Sequence, residues 1–119
     1  MRTLRLAMAQ TNPTVGDVYD NTRSILEYID RARELRADIV VFPELAIPGY
    51  PPEDLLFKSQ FIRSNIEKMN EIVAASQNIA VVVGYADCDE HVYNAAAVGY
   101  DGKLIGKYYK KHLPNYGVF

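Results

Sequence analysis

Two short, wholly apolar runs constrain this chain more than any other feature. Residues 39–42 read IVVF and residues 80–83 read AVVV, mostly β-branched and without a polar position. Such runs suit central strands of a parallel sheet, covered on both faces and joined by helical crossovers. The residues between them supply a crossover. Ile62, Ile66, Met69 and Val73 recur at spacings of four, three and four, which places them on one helical stripe. Upstream, Ile25, Ile29 and Ala32 repeat the pattern, with Arg23, Glu27, Arg31 and Glu34 elsewhere on the surface. Asp17 or Asp20, in and after the turn-rich TNPTVGD, could cap that helix. Residues 3–10 alternate, with Leu4, Leu6 and Met8 on one face, and read as an opening strand. After the second apolar run, ADCDEH reads as a polar turn and residues 92–98 as a strand. YDGK carries the Asp-Gly hairpin signal, and residues 104–109 return as the last strand. The predicted order is β-α-β-α-β-β-β, an α/β layered domain that begins parallel and ends in an antiparallel hairpin.

Composition narrows the function classes. With 119 residues the chain is long enough for one modest domain with a real core. A net charge of −2 offers no basic footprint, so nucleic acid is not an expected partner. One cysteine, Cys88, excludes an internal disulfide. No stretch approaches the ~18 apolar residues that a membrane span needs, nor does the N-terminus carry a signal peptide's apolar core. A cytoplasmic protein without membrane contact is the expectation. The closing LPNYGVF is apolar and aromatic where a terminus is usually polar, which suggests part of a longer chain.

Two residues stand where chemistry could occur. Glu44 lies one residue beyond Pro43, which has no N–H to continue a ladder, and just past a strand's carboxyl end. A carboxylate there, walled by Phe42, Leu45 and Ile47, would be partly desolvated and suited to act as a general base. From position and composition alone, an exposed acid at a loop start is the simpler reading. Lys110 ends the last strand and could hold a fixed positive charge for an oxyanion. With Lys103, Lys107 and Lys111 nearby, a solvated basic strand end is the simpler reading. His91 and His112 are too far apart and lack the spacing of a metal site, so no metal is expected. GKLIGK is one residue short of a phosphate-binding loop and lacks its final Ser or Thr. Cys88 sits among Asp87, Asp89 and Glu90, surroundings that disfavour a thiolate.

Together these pieces resemble the nitrilase, or carbon–nitrogen hydrolase, superfamily. The resemblance rests on ADIVVFPEL, PGYPPEDLL and YKKHLPNYGVF, in that order along the whole chain. Within the superfamily, PGYPPEDL and LPNYGVF are most similar to the glutaminase domain of glutamine-dependent NAD synthetases. The resemblance implies a four-layer α-β-β-α sandwich, of which residues 1–119 would form roughly the first half. It also implies a Glu-Lys-Cys triad, in which Glu44 matches the base and Lys110, rather than Lys111, the lysine. Tyr50 and Tyr116 match positions that help form the glutamine pocket. The chemistry implied is attack of a thiol on the glutamine carboxamide, with the base taking its proton and the lysine steadying the oxyanion. Ammonia would then serve the ATP-dependent amidation of deamido-NAD in a separate synthetase domain. No cofactor is expected in residues 1–119 themselves; ATP and Mg are implied for that other domain.

The chain departs from the pattern in one respect. The family's nucleophile follows the lysine, and Cys88 precedes it, so no residue here matches the nucleophile. Alone, the chain is expected to be inactive and poorly stable, with an apolar face left open. Family members form homo-oligomers, and the same is expected here. A stand-alone amidase of the family and a non-catalytic fragment are the alternatives.

Overall fold

The computed structural model describes residues 3–52, 55 and 58–110. The elements follow in the expected order: β1 (Leu6–Met8), α1 (Val18–Glu34), β2 (Ile39–Val41), α2 (Ser59–Ala74), β3 (Ala80–Cys88), β4 (Val92–Tyr100) and β5 (Lys103–Tyr109). The five strands form one sheet in the order β1-β2-β3-β4-β5. β1, β2 and β3 run parallel, and β3, β4 and β5 alternate antiparallel. Because both crossovers step the same way along the sheet and share one hand, both helices fall on one face.

That face holds the core. Ile25 and Ile29 of α1 and Met69 and Ile72 of α2 pack with Val40, Val81 and Val83 from the strands. Asp17 is the cap of α1: its carboxylate accepts from the Asp20 amide at 3.1 Å. Arg33 in the last turn of α1 donates to the carbonyls of Ala75 and Gln77, tying α1 to the end of α2. Asn65 of α2 bonds both the amide and the carbonyl of Ala86. It thereby serves the edge of β3 where the three-residue β2 no longer reaches.

The opposite face of the sheet is open. Leu6, Met8, Tyr100 and Tyr108 are exposed there, Met8 to 73 %. The expectation that the apolar runs are covered on both faces is therefore corrected. Val40, Val81 and Val83 are buried under the helices, while Ile39, Val41 and Val82 are only half-buried on the open side. The chain thus makes one helix layer and one sheet layer, half of the expected sandwich.

The hairpin between β4 and β5 turns on Asp101 and Gly102, both at positive φ (52° and 84°). This is the backbone that the Asp-Gly signal anticipates. The other expected turn is shorter than predicted: Ala86, Asp87 and Cys88 belong to β3, and only residues 89–91 connect it to β4.

Candidate functional site

At the carboxyl end of β2 the ladder stops for a chemical reason. Phe42 makes the last bond, its amide donating to Val82 at 2.9 Å, and Pro43 has no N–H to offer. The chain then folds back over β3, with Leu45 at φ 51°. Ile47 returns a bond to Gly84 at 3.2 Å. The turn lies directly on Gly84. A Cβ there would stand 2.4 Å from the Leu45 nitrogen and 2.6 Å from the Pro43 carbonyl oxygen. An isolated glycine inside a strand is the usual sign of such a close approach. The turn carries Glu44 onto the open face of the sheet.

β4 and β5 bring its partners to the same place. Asn94 lies opposite Ala86 of β3, and the Lys110 amide donates to the Asn94 carbonyl at 3.0 Å, one residue beyond β5. The Lys110 Nζ donates to Glu44 Oε1 at 3.4 Å, across 66 residues of sequence. The Asn94 amide nitrogen donates to the same oxygen. Of the described lysines around the strand end, Lys103, Lys107 and Lys110, Lys110 is the one that meets Glu44. Phe42, Pro43, Val82, Gly84, Ala96 and Tyr108 complete a cleft of about 350 Å³.

The cleft differs from its expected form in two ways. Leu45 and Ile47 are not its walls: Leu45 is buried against Ile62 and Ala86, and Ile47 joins the main core. The pair is also wet from the open side, with Glu44 44 % and Lys110 41 % exposed. Tyr50 lies outside the residues lining the cleft and is half-exposed, while Tyr116, with Lys111 and His112, falls outside the described residues. Cys88 lines a separate groove with Ile62, Ile66 and Val92. Among the described residues no three His, Cys, Asp or Glu side chains gather as metal ligands. No helix among them is long and apolar enough to cross a membrane.

A second polar cluster, not anticipated from the sequence, sits on the helix-covered face. Asp87, 8 % exposed, accepts from Lys107 Nζ at 3.2 Å. It also accepts from Tyr109 at 2.7 Å, from Tyr85 at 3.0 Å and from the Cys88 amide at 2.9 Å. Lys107 is solvent-exposed, as expected of a strand lysine, but it is also paired with Asp87. Burial pushes the Asp87 carboxyl up, but hydrogen bonds from Tyr109, Cys88, Tyr85 and Lys107 outweigh it and hold it below the usual value. The same contacts raise the Tyr109 phenol to about 12, its hydrogen bond to Asp87 being the main cause. Burial, then Asp87, pushes the Tyr85 phenol up as well. Asp87 on β3 reaches β5 across β4 because Ala95 and Ala97 leave the space between them open.

Comparison with known proteins matches the carbon–nitrogen hydrolase family to residues 5–118. A glutamine-dependent NAD(+) synthetase of Thermotoga maritima is 46 % identical over 121 residues, covering 100 % of this chain and 21 % of that protein. The crystal structure of a glutamine-dependent NAD(+) synthetase from Cytophaga hutchinsonii superposes with a TM-score of 0.91 at 31 % identity, covering 96 % of this chain and 20 % of that one. The Acinetobacter baumannii enzyme, solved with adenosine diphosphate, gives 0.83 at 36 % identity, covering 98 % and 22 %. The chain spans about a fifth of the length of these relatives.

Proposed function

This chain belongs to the carbon–nitrogen hydrolase family, and we propose that Glu44 is its general base and Lys110 its oxyanion-stabilising cation. The proposed reaction is hydrolysis of glutamine to glutamate and ammonia. The protein would use that ammonia to convert deamido-NAD to NAD, as a glutamine-dependent NAD synthetase. The observation that carries this reading is the Glu44–Lys110 contact, 3.4 Å across a cleft on the sheet's open face. Two groups 66 positions apart, one acidic and one basic, meet in one cleft.

The residues suit the chemistry. A carboxylate accepts the proton of an attacking thiol, returns it to the amide nitrogen that leaves as ammonia, and then activates the water that opens the thioester. An ammonium beside it holds positive charge where the carboxamide oxygen turns negative. The lone cysteine, Cys88, lines another groove, so the nucleophile of this proposal lies outside the 119 residues. Tyr50 and Tyr116 remain proposed contacts to the glutamine side chain. ATP and Mg belong, in this proposal, to a synthetase part that residues 1–119 do not include. The apolar open face, with Leu6, Met8 and Tyr108 exposed, is consistent with a further layer that would dry the cleft.

The test is a pair of assays on the synthetase. Glu44→Gln and Lys110→Met are each expected to abolish glutamine-driven synthesis while synthesis from free ammonia survives. Loss of both activities in folded variants would assign the two residues a structural role and end this reading.

A further inference from the structure

The Glu44 oxygen that faces Lys110 receives a second donor, and that donor belongs to a residue outside the proposed triad. Asn94 is 5 % exposed, in the middle of the sheet. Its side-chain amide donates to Glu44 Oε1, and its main-chain carbonyl accepts the Lys110 amide at 3.0 Å. One residue of β4 thus holds both the carboxylate that arrives from β2 and the backbone that carries the lysine. The other walls flanking Glu44 in the open cleft are apolar, Phe42, Pro43, Val82 and Ala96, so among the described residues Asn94 and Lys110 are the side chains that hold the carboxylate. The titratable groups facing Glu44 among the described residues are Lys110 and Tyr108, both from the β5 end; β3 and β4 present none there.

We propose that Asn94 is a positioning residue for the amidase reaction, orienting Glu44 through the amide N–H. The proposal rests on Glu44 acting as the base. An N–H donor to a carboxylate stabilises the charged form and not the protonated one. Unlike a lysine, an amide does so without adding a charge that would compete for the oxyanion. The residue type also matters because an amide and a carboxylate have the same shape. Asn94→Asp keeps the packing of a buried position and replaces the donor with a second acid, so two carboxyl groups would share one proton.

The decisive experiment is the pH dependence of kcat/KM for glutamine hydrolysis by the synthetase carrying Asn94→Asp, Asn94→Ala or Glu44→Gln. Asn94→Asp is expected to move the acid limb up by at least about one pH unit, as close like charges do. Asn94→Ala is expected to lower kcat/KM by on the order of 10- to 100-fold, the usual worth of a hydrogen bond to a charged group. Asn94→Asp decides the matter where Asn94→Ala does not fold. A wild-type acid limb in Asn94→Asp, with whatever loss of rate is equal at every pH, overturns the proposal. Hydrolysis that survives Glu44→Gln is a different failure: it removes the base itself and the reading of the site.

Discussion

Replacing Asp87 should loosen the β3–β5 end of the sheet, and the amount follows from its contacts. Asp87→Ala leaves the Tyr85 hydroxyl without its acceptor, and Tyr85 is fully buried. An orphaned buried donor costs about 1–3 kcal/mol. Tyr109 loses a 2.7 Å bond to a charged acceptor, and such bonds contribute about 1.5–3 kcal/mol. Lys107 is 38 % exposed and can return to water, so its lost ion pair adds under about 1 kcal/mol. Tyr109 is also solvent-accessible, so part of its loss is recovered. A total near 3 kcal/mol is expected at neutral pH. Native-state hydrogen exchange reads this locally, whatever else the protein contains. Amides of the β3–β4 and β4–β5 ladders should exchange on the order of 100-fold faster relative to wild type. The pH dependence gives the sharper check. The folded Asp87 carboxyl lies below its ordinary value. Its contribution is therefore complete above the unfolded value of about 3.9 and fades as pH falls through the folded one. The difference between wild type and the isosteric Asp87→Asn should hold steady from about pH 7 to 5 and shrink below about pH 4. A difference independent of pH would show that packing, not the carboxylate network, holds the strands, and would refute the reasoning.

Two further outcomes can be measured alongside it. Gly84→Ala places a Cβ 2.4 Å from the Leu45 nitrogen and 2.6 Å from the Pro43 oxygen, which are backbone atoms that cannot swing aside. The turn bearing Glu44 must then move, and if Glu44 is the base proposed above, glutamine hydrolysis should fall at least about 100-fold, as misplaced catalytic groups do; near-wild-type kcat would contradict this geometry. Asn65→Ala removes the side chain that serves both backbone groups of Ala86 inside a buried contact. A loss of about 2–4 kcal/mol in local stability at α2 and β3 is expected from hydrogen exchange, against under 1 kcal/mol if water replaces the amide.

Local patterning carried much of this architecture. Ile62, Met69 and Val73 are buried as their spacing required, with Ile66 half-buried beside them. Asp101-Gly102 made the turn its φ angles need, and Pro43 ended β2 where its missing N–H forbids another bond. These are properties of residues a few positions apart, so the chain displays them directly. Glu44 as a candidate also came from local order, because a proline closing an apolar strand puts the next residue at the strand's carboxyl end.

What the amino-acid order could not decide was which distant groups meet. Lys107 and Lys110 look alike in the sequence, but three residues apart on a strand they point to opposite faces. Register then sends Lys107 to Asp87 on one face of the sheet and Lys110 to Glu44 on the other. Asn94 and Asp87 gave no local signal, since their meaning lies in partners 50 and 20 or more residues away. Gly84 did carry a sign, a lone glycine inside an apolar strand, whose target only the folded turn identifies. The apolar runs determined that strands form there, as β2 (Ile39–Val41) and the start of β3 (Ala80–Cys88). Only the common hand of two crossovers determined that both helices share one face and that Glu44 and Lys110 meet on the other.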